Sequence, residues 1–366
     1  MKNFFLLATF STALLLATNT TVTAQQAAIA GAETANKSGI DWSTLNTYEH
    51  VLSNNALNII RSGTHVLSGK SNASVNVNTD GNVRLILNGV DIRSSAGAAI
   101  YIENTDNTVI ELASSSQNTL EDAKTRNDKA INGALYSSDD LMFQGAGKLN
   151  IKANFQDGIV SKDDLDFFSG EYNISSVDDG IHGKDSLTIE GGIISVVAKG
   201  DGIKSSNEDD PEKGSIYING GSTTIYSGDD GIAAINNIVV NDGQIKVLNS
   251  IEGMEASTIT INDGDIRVVA RDDGINAVND NRLGNMSITV NGGNIDVTVG
   301  RGDTDAFDSN GTILITGGNI NVTAPTSSFD SSRGSEMTGG TLVVNGELLT
   351  ELPAERRGGR NGMGRN

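Results

Sequence analysis

The chain has no cysteine and, among its 366 residues, only three prolines, three histidines and one tryptophan. Without cysteine there are no disulfides and no thiolate metal sites, so stability must come from packing or from a hard-ligand metal. Aromatic residues make up 4% of the chain, so any large core must be aliphatic. Positive charge is also scarce. The 26 Lys and Arg stand against 46 Asp and Glu, a net charge of −20, and the resulting repulsion excludes nucleic acid as a partner. Beyond the first 24 residues no apolar run is long enough to span a bilayer.

What the chain has in abundance is glycine, 43 residues of it, much of it set in one recurring unit. The unit reads Gln156-Asp157-Gly158-Ile159, Asp178-Asp179-Gly180-Ile181, Gly200-Asp201-Gly202-Ile203 and Asp229-Asp230-Gly231-Ile232. It continues as Ile251-Glu252-Gly253-Met254 and Asp272-Asp273-Gly274-Ile275, and ends on Thr304-Asp305-Ala306-Phe307. The acid-to-acid steps are 22, 22, 29, 22, 21 and 32 residues. Polar inserts, Ser206 to Gly214 and Asp280 to Asn285, account for the two long steps. A fixed period of this length is the signature of a solenoid.

Each unit leads into short apolar-polar alternations such as Ser186-Leu187-Thr188-Ile189 and Gly191-Gly192-Ile193-Ile194-Ser195-Val196. Alternation over four to six residues, rich in Ile and Val, specifies strands with one buried face, and the Gly-Gly, Asn-Gly and Asp-Gly pairs supply the turns. About three such strands per repeat cannot bury a core alone, so the repeats must stack. The sequence therefore predicts an all-β fold, a parallel β-helix with coils of about 22 residues.

Residues 157 to 308 hold 28 acids and 10 bases, nearly the whole charge excess. Stacked coils lie about 4.8 Å apart, where two carboxylates repel by about 0.9 kcal/mol in water and about 3.5 kcal/mol at an effective dielectric of 20. A doubled row of acids would bear that cost repeatedly with nothing bound. Oxygen-only ligands suit a hard cation, which points to Ca²⁺ on Asp157, Asp178, Asp179, Asp201, Asp229, Asp230, Glu252, Asp272, Asp273, Asp303 and Asp305. The alternative is that these acids sit on turns and are simply solvated.

The remaining segments read in order. Residues 1–24 have a basic start, an apolar run from Phe4 to Ala17 and a small-residue site at Val22-Thr23-Ala24, as a secretory signal peptide does, which implies a secreted or cell-surface protein. Residues 25–40 read as a linker and 41–352 as the β-helix, with a first edge coil over Asn58 to Gly69 and a loop leaving the helix from Asn118 to Asn132. Residues 353–366 form a Gly- and Arg-rich tail expected to be disordered.

The Arg61-to-Gly69 coil, Leu85-Ile86-Leu87-Asn88-Gly89-Val90-Asp91-Ile92, Ala99-Ile100-Tyr101-Ile102 and the repeated Asp-Asp-Gly-Ile carry a resemblance, together with the Gly-Gly-x-Ile-x-Val runs and the tail. The chain resembles the secreted carbohydrate-binding domain-containing proteins with a polysaccharide-lyase-like right-handed β-helix. A described member of that family binds calcium, cellulose and acidic pectic sugars. The resemblance implies calcium held by the Asp rows and acidic polysaccharide on the helix flank. The sequence departs from the repeat at Glu252-Gly253-Met254 and Asp305-Ala306-Phe307.

Three functions follow. In the first, calcium bridges the acid rows to the uronates of a pectin-like chain, with cellulosic glycans as a second ligand class. In the second, a calcium-dependent lyase of the pectate type, Lys162 or Lys184 removes the proton that the metal acidifies. The third is a structural adhesin or stalk. Lys162, Lys184 and Lys204 are candidate ligand-binding residues, whose alternative role is charge compensation beside the acids. His182 reads as a surface residue, and Tyr172, Tyr217 and Tyr226 as either a sugar platform or packing between coils.

Overall fold

The computed structural model describes residues 38–279, 284–302 and 304–353. The signal peptide, most of the linker and nearly all of the tail expected from the sequence lie outside the described residues, as does Asp303. Apart from a 3-10 turn at Trp42–Thr44, every regular element among the described residues is a β-strand. None of those residues forms a helix long and apolar enough to cross a membrane.

The strands form three parallel ladders wound as a β-helix. Ladder A runs from Thr47–Leu52 to Ser335–Met337, and ladder B from the distal half of Gly63–Ser71 to Thr341–Val344. The two merge into one 24-stranded sheet because the long strands Gly63–Ser71 and Val83–Arg93 belong to both. Ladder C is a separate 12-stranded sheet from Leu57–Ile59 to Phe329–Ser331. At the far end Glu347–Leu349 pairs antiparallel with Thr341–Val344.

Alternation sets which side chains enter the core. Ser186–Ile189 buries Leu187 and Ile189 and leaves Ser186 and Thr188 outside. On ladder C the inner row runs Ile159, Ile181, Ile203, Ile232, Met254, Ile275 and Phe307, the register read from the repeat. Each buried side chain of this size contributes about 1.5–3 kcal/mol. Like stacks on like, as in Phe143 over Phe167 with centroids 4.8 Å apart and planes 5° from parallel.

Two boundaries differ from expectation. The expected edge coil is internal, since Gly63–Ser71 pairs with Thr47–Leu52 on its outer side. The expected loop from Asn118 begins with a strand, Gln117–Glu121, paired with both neighbours on ladder B. Its polar residues hide the alternation because Asn118 is itself fully buried, with its side-chain oxygen accepting from the amides of Gly89 and Val90 at 2.9 and 3.1 Å.

Candidate functional site

The acid of each Asp-Gly-Ile unit lies where one coil turns onto ladder C, and the backbone decides what its first oxygen does. Each unit's glycine N–H donates to the carbonyl of the next coil's acid, as from Gly180 to Asp201 at 2.8 Å and from Gly202 to Asp230 at 2.8 Å. The acid's own N–H donates back to the side-chain Oδ1 of the preceding acid. This link runs from Asp179 to Asp157 (3.1 Å), Asp201 to Asp179 (2.8 Å), Asp230 to Asp201 (3.1 Å), Glu252 to Asp230 (3.2 Å) and Asp305 to Asp273 (2.7 Å). One side-chain oxygen of Asp157, Asp179, Asp201, Asp230 and Asp273 therefore stitches two coils together. The glycine is required by close approach, because a Cβ on Gly180 would lie 2.3 Å from the Val196 side chain and 2.5 Å from the Gly202 carbonyl oxygen.

The second oxygens carry the electrostatics. Burial, then the neighbouring Asp179 and Asp178, push the Asp157 carboxyl up to about 7. Burial and the flanking acids likewise push Asp230 and Asp273 up to about 7. Burial raises Glu252 too, reinforced by a hydrogen bond and charge from Glu255. Midway along the row the chain supplies its own cation. The Lys204 ammonium sits 2.7 Å from Asp201 Oδ2 and 3.4 Å from Asp179 Oδ2. Burial disfavours its charge, yet the two carboxylates outweigh burial and hold its pKa above the ordinary lysine value.

Lys204 divides the row. Three groups bring ligand atoms within 4.8 Å of one another: Asp157, Asp179 and His182; Asp201, Asp229 and Asp230; and Asp230, Glu252 and Glu255. Of the expected ligands, Asp157, Asp179, Asp201, Asp229, Asp230 and Glu252 are gathered in this way. Asp178, Asp272, Asp273 and Asp305 fall outside these groups. Glu255 was missed by sequence reasoning because it stands three residues after its acid, at the outward position of strand Met254–Ala256. The same offset places Lys204 after Asp201 and Asp308 after Asp305, so the outward row of ladder C was a readable signal. Burial and the charges of Asp305 and Asp330 push Asp308 up to about 6.

The three lysines have distinct surroundings. Lys184 pairs with Asp209 of the first insert at 3.2 Å. Lys162 stands 5.6 Å above the Tyr136 ring, and burial, with Lys184 nearby, lowers its pKa despite Asp157. His182 is not a solvated surface residue. Burial and the three lysines push its pKa down to about 3, and its Nε2 lies 2.7 Å from Ser206 Oγ. Nor do the three tyrosines form one platform. Tyr172 is fully buried, edge-on to Phe143 and Phe167, while the partly exposed Tyr217 and Tyr226 lie on different ladders.

Comparison with known proteins adds to this geometry. A family model described as carbohydrate-binding domain-containing protein matches residues 53–306 and 258–351. A carbohydrate-binding domain-containing protein of Acetivibrio thermocellus is 31% identical over 133 residues, covering 34% of this chain and 46% of that protein. The chain thus matches about half the length of that curated relative. A solved structure of the polysaccharide lyase-like protein from C. thermocellum, a gadolinium derivative, superposes with a TM-score of 0.51 at 28% identity, over 60% of this chain and 92% of the other.

Proposed function

The chain belongs to the carbohydrate-binding domain-containing protein family, and on that premise we propose that it is a secreted or cell-surface protein that binds acidic, pectin-like polysaccharide through Ca²⁺. The observation that carries the reading is the group Asp230, Glu252 and Glu255. Its donors are all oxygen, as a hard cation prefers. No lysine or arginine pairs with Asp230 or Glu252 among the described residues, in contrast to Lys204 at the preceding coil. Ca²⁺ takes six to eight oxygens, so three carboxyl groups leave positions open for a uronate. The gadolinium in the related structure is likewise a hard, oxygen-seeking cation.

The lyase alternative rests on Lys162, whose lowered pKa brings it nearer the range of a proton acceptor. Lys184, tied to Asp209, is less available. The test is calorimetric titration with oligogalacturonate, followed by an absorbance assay for unsaturated uronate. Binding is expected in calcium, weakened at least about tenfold in EDTA, with no unsaturated product. Equal affinity in EDTA would refute the bridging role, and product that disappears in Lys162→Ala would establish the lyase.

A further inference from the structure

The apolar core of the solenoid begins, at its N-terminal end, on two imidazoles. Successive coils of ladder A bring Tyr48, His65, Leu85, Ile110, Phe143 and Phe167 into one inward row. His50 heads the neighbouring inward row, above Leu67, Leu87 and Leu112. His65 is 3% exposed, and the Tyr48 ring stacks on it with centroids 4.9 Å apart. His65 Nε2 lies 3.0 Å from the Arg61 carbonyl oxygen, and His65 Nδ1 lies 3.0 Å from His50 Nε2. A carbonyl oxygen only accepts, so His65 carries its proton on Nε2 and offers Nδ1 as an acceptor. The His50 proton is therefore on Nε2, donated to His65.

Little charge faces this pair. On strand Thr47–Leu52 the Tyr48 phenol shares its side, while Glu49 is exposed on the opposite face. Strand Leu57–Ile59 contributes Leu57 and Ile59 to the core. Strand Val83–Arg93 turns Leu85 and Leu87 inward and carries Arg84 on its outer face, where Glu111 lies 3.6 Å away. The Arg61 side chain is exposed. Among the described residues no carboxylate offsets a charge on either ring. Burial holds both imidazoles below the ordinary histidine value of 6.5. At His65 it outweighs the Arg61 hydrogen bond, and His50 lowers the ring further.

We propose that the His50–His65 pair is an acid-released latch that holds strand Thr47–Leu52, with the turn before it, on the end of the solenoid. Among the described residues that strand pairs with Gly63–Ser71 alone, so the latch supplements a single row of ladder bonds. A first proton enters at His50 Nδ1 and leaves the bond between the rings in place. A second has only His65 Nδ1, where it removes the acceptor and sets two N–H groups against each other. Released rings titrate near 6.5, so below that pH the released state holds more protons than the latched one. Docking is complete above 6.5 and weakens as the pH falls. Release uncovers Leu67 and the partly buried Leu52 and Leu57 at the mouth of the core. The chain carries its own reporter, because its single tryptophan, Trp42, lies in that turn. It is buried, with the Arg84 guanidinium 5.3 Å from its ring centroid.

The test follows Trp42 emission in the full chain between about pH 8 and pH 4 in EDTA, with far-ultraviolet circular dichroism read in parallel. In EDTA the raised carboxyls of the acid row gain from acid, so a loss of order on acidification has the opposite sign. Below 6.5 the emission is expected to shift to the red while the dichroism of the remaining coils holds. The ratio of released to latched protein should climb by up to about a hundredfold per pH unit, with two rings taking up protons. His50→Gln keeps a donor for His65 Nδ1 and leaves one titrating ring, so the climb should drop to about tenfold per unit. His50→Gln combined with His65→Leu, the residue type of the next coil, should leave the emission independent of pH. Constant wild-type emission down to about pH 4, or a transition that keeps its steepness in His50→Gln, would overturn the latch. So would simultaneous loss of emission and dichroism, which would mean that the whole solenoid opens.

Discussion

Chelating calcium is expected to steepen the fall of the protein's stability with rising pH. In EDTA the folded-state pKa values of Asp157, Asp230 and Asp273 lie near 7, well above the ordinary aspartate value of 3.8. Between those pH values the folded chain holds protons that the unfolded chain has released. Stability therefore is greatest below about pH 4, falls as pH rises through 7, and stays low above it. At Asp157, the most buried of the three, a rise of about three units corresponds to about 4 kcal/mol, and the effect is smaller at the other two because water reaches them. With calcium present the metal takes the place of the proton at Asp230 and binds best when the carboxylates of its group are ionised. It then adds about 2.7 kcal/mol at a hundredfold excess over its Kd. Melting curves between pH 5 and 8 check this. The midpoint should fall with pH in EDTA, and should fall less steeply in calcium. A midpoint that stays level with pH in EDTA would mean that the acids are simply solvated turn residues.

The double replacement Glu252→Gln with Glu255→Gln is expected to stabilise the protein in EDTA and to remove the stabilisation by calcium. Asn276 donates to Glu252 Oε2 at 2.8 Å, and the amide oxygen introduced by Glu252→Gln would still accept from it, so the local hydrogen bond survives. What disappears is the repulsion between partly buried carboxyl groups, about 3.5 kcal/mol for an ionised pair about 4.8 Å apart at an effective dielectric of 20. Asp179→Ala serves as the contrast. It deprives the Asp201 N–H of its acceptor at 2.8 Å and is expected to cost about 1–3 kcal/mol with or without calcium. Denaturant unfolding in EDTA and in calcium reads both variants. A double variant that keeps the full calcium increment would place the metal elsewhere.

The architecture was legible because the period and the alternation are both enforced by the backbone. The unit Asp178-Asp179-Gly180-Ile181 repeats in register since its glycine has no room for a Cβ and its isoleucine stacks on Ile159 and Ile203. The site was legible only in outline. Sequence spacing showed that Asp179 and Asp201 would stack. It could not show that Oδ1 of Asp179 is committed to the amide of Asp201, nor that Lys204 reaches back to neutralise both acids. Those facts depend on side-chain direction at a turn. Doubling of the acid also misled. Asp178 and Asp272 share the motif with their neighbours, yet it is Asp179 and Asp273 whose side-chain Oδ1 accepts from the amide of the next coil's acid. Tyr172 failed as a platform for a simpler reason: it occupies a core position of strand Glu171–Ser175, and alternation assigns that position to the interior.

The most direct measurement of the central claim is a crystal structure of the protein soaked with calcium and a galacturonate oligomer at pH 8, with the metal located by anomalous scattering. The account predicts an ion coordinated by carboxylate oxygens of Asp230, Glu252 and Glu255, with a uronate oxygen completing its shell, and no ion between Asp179 and Asp201, where the Lys204 ammonium already sits. An oligomer bound with no metal between its carboxylates and the acid row would contradict it.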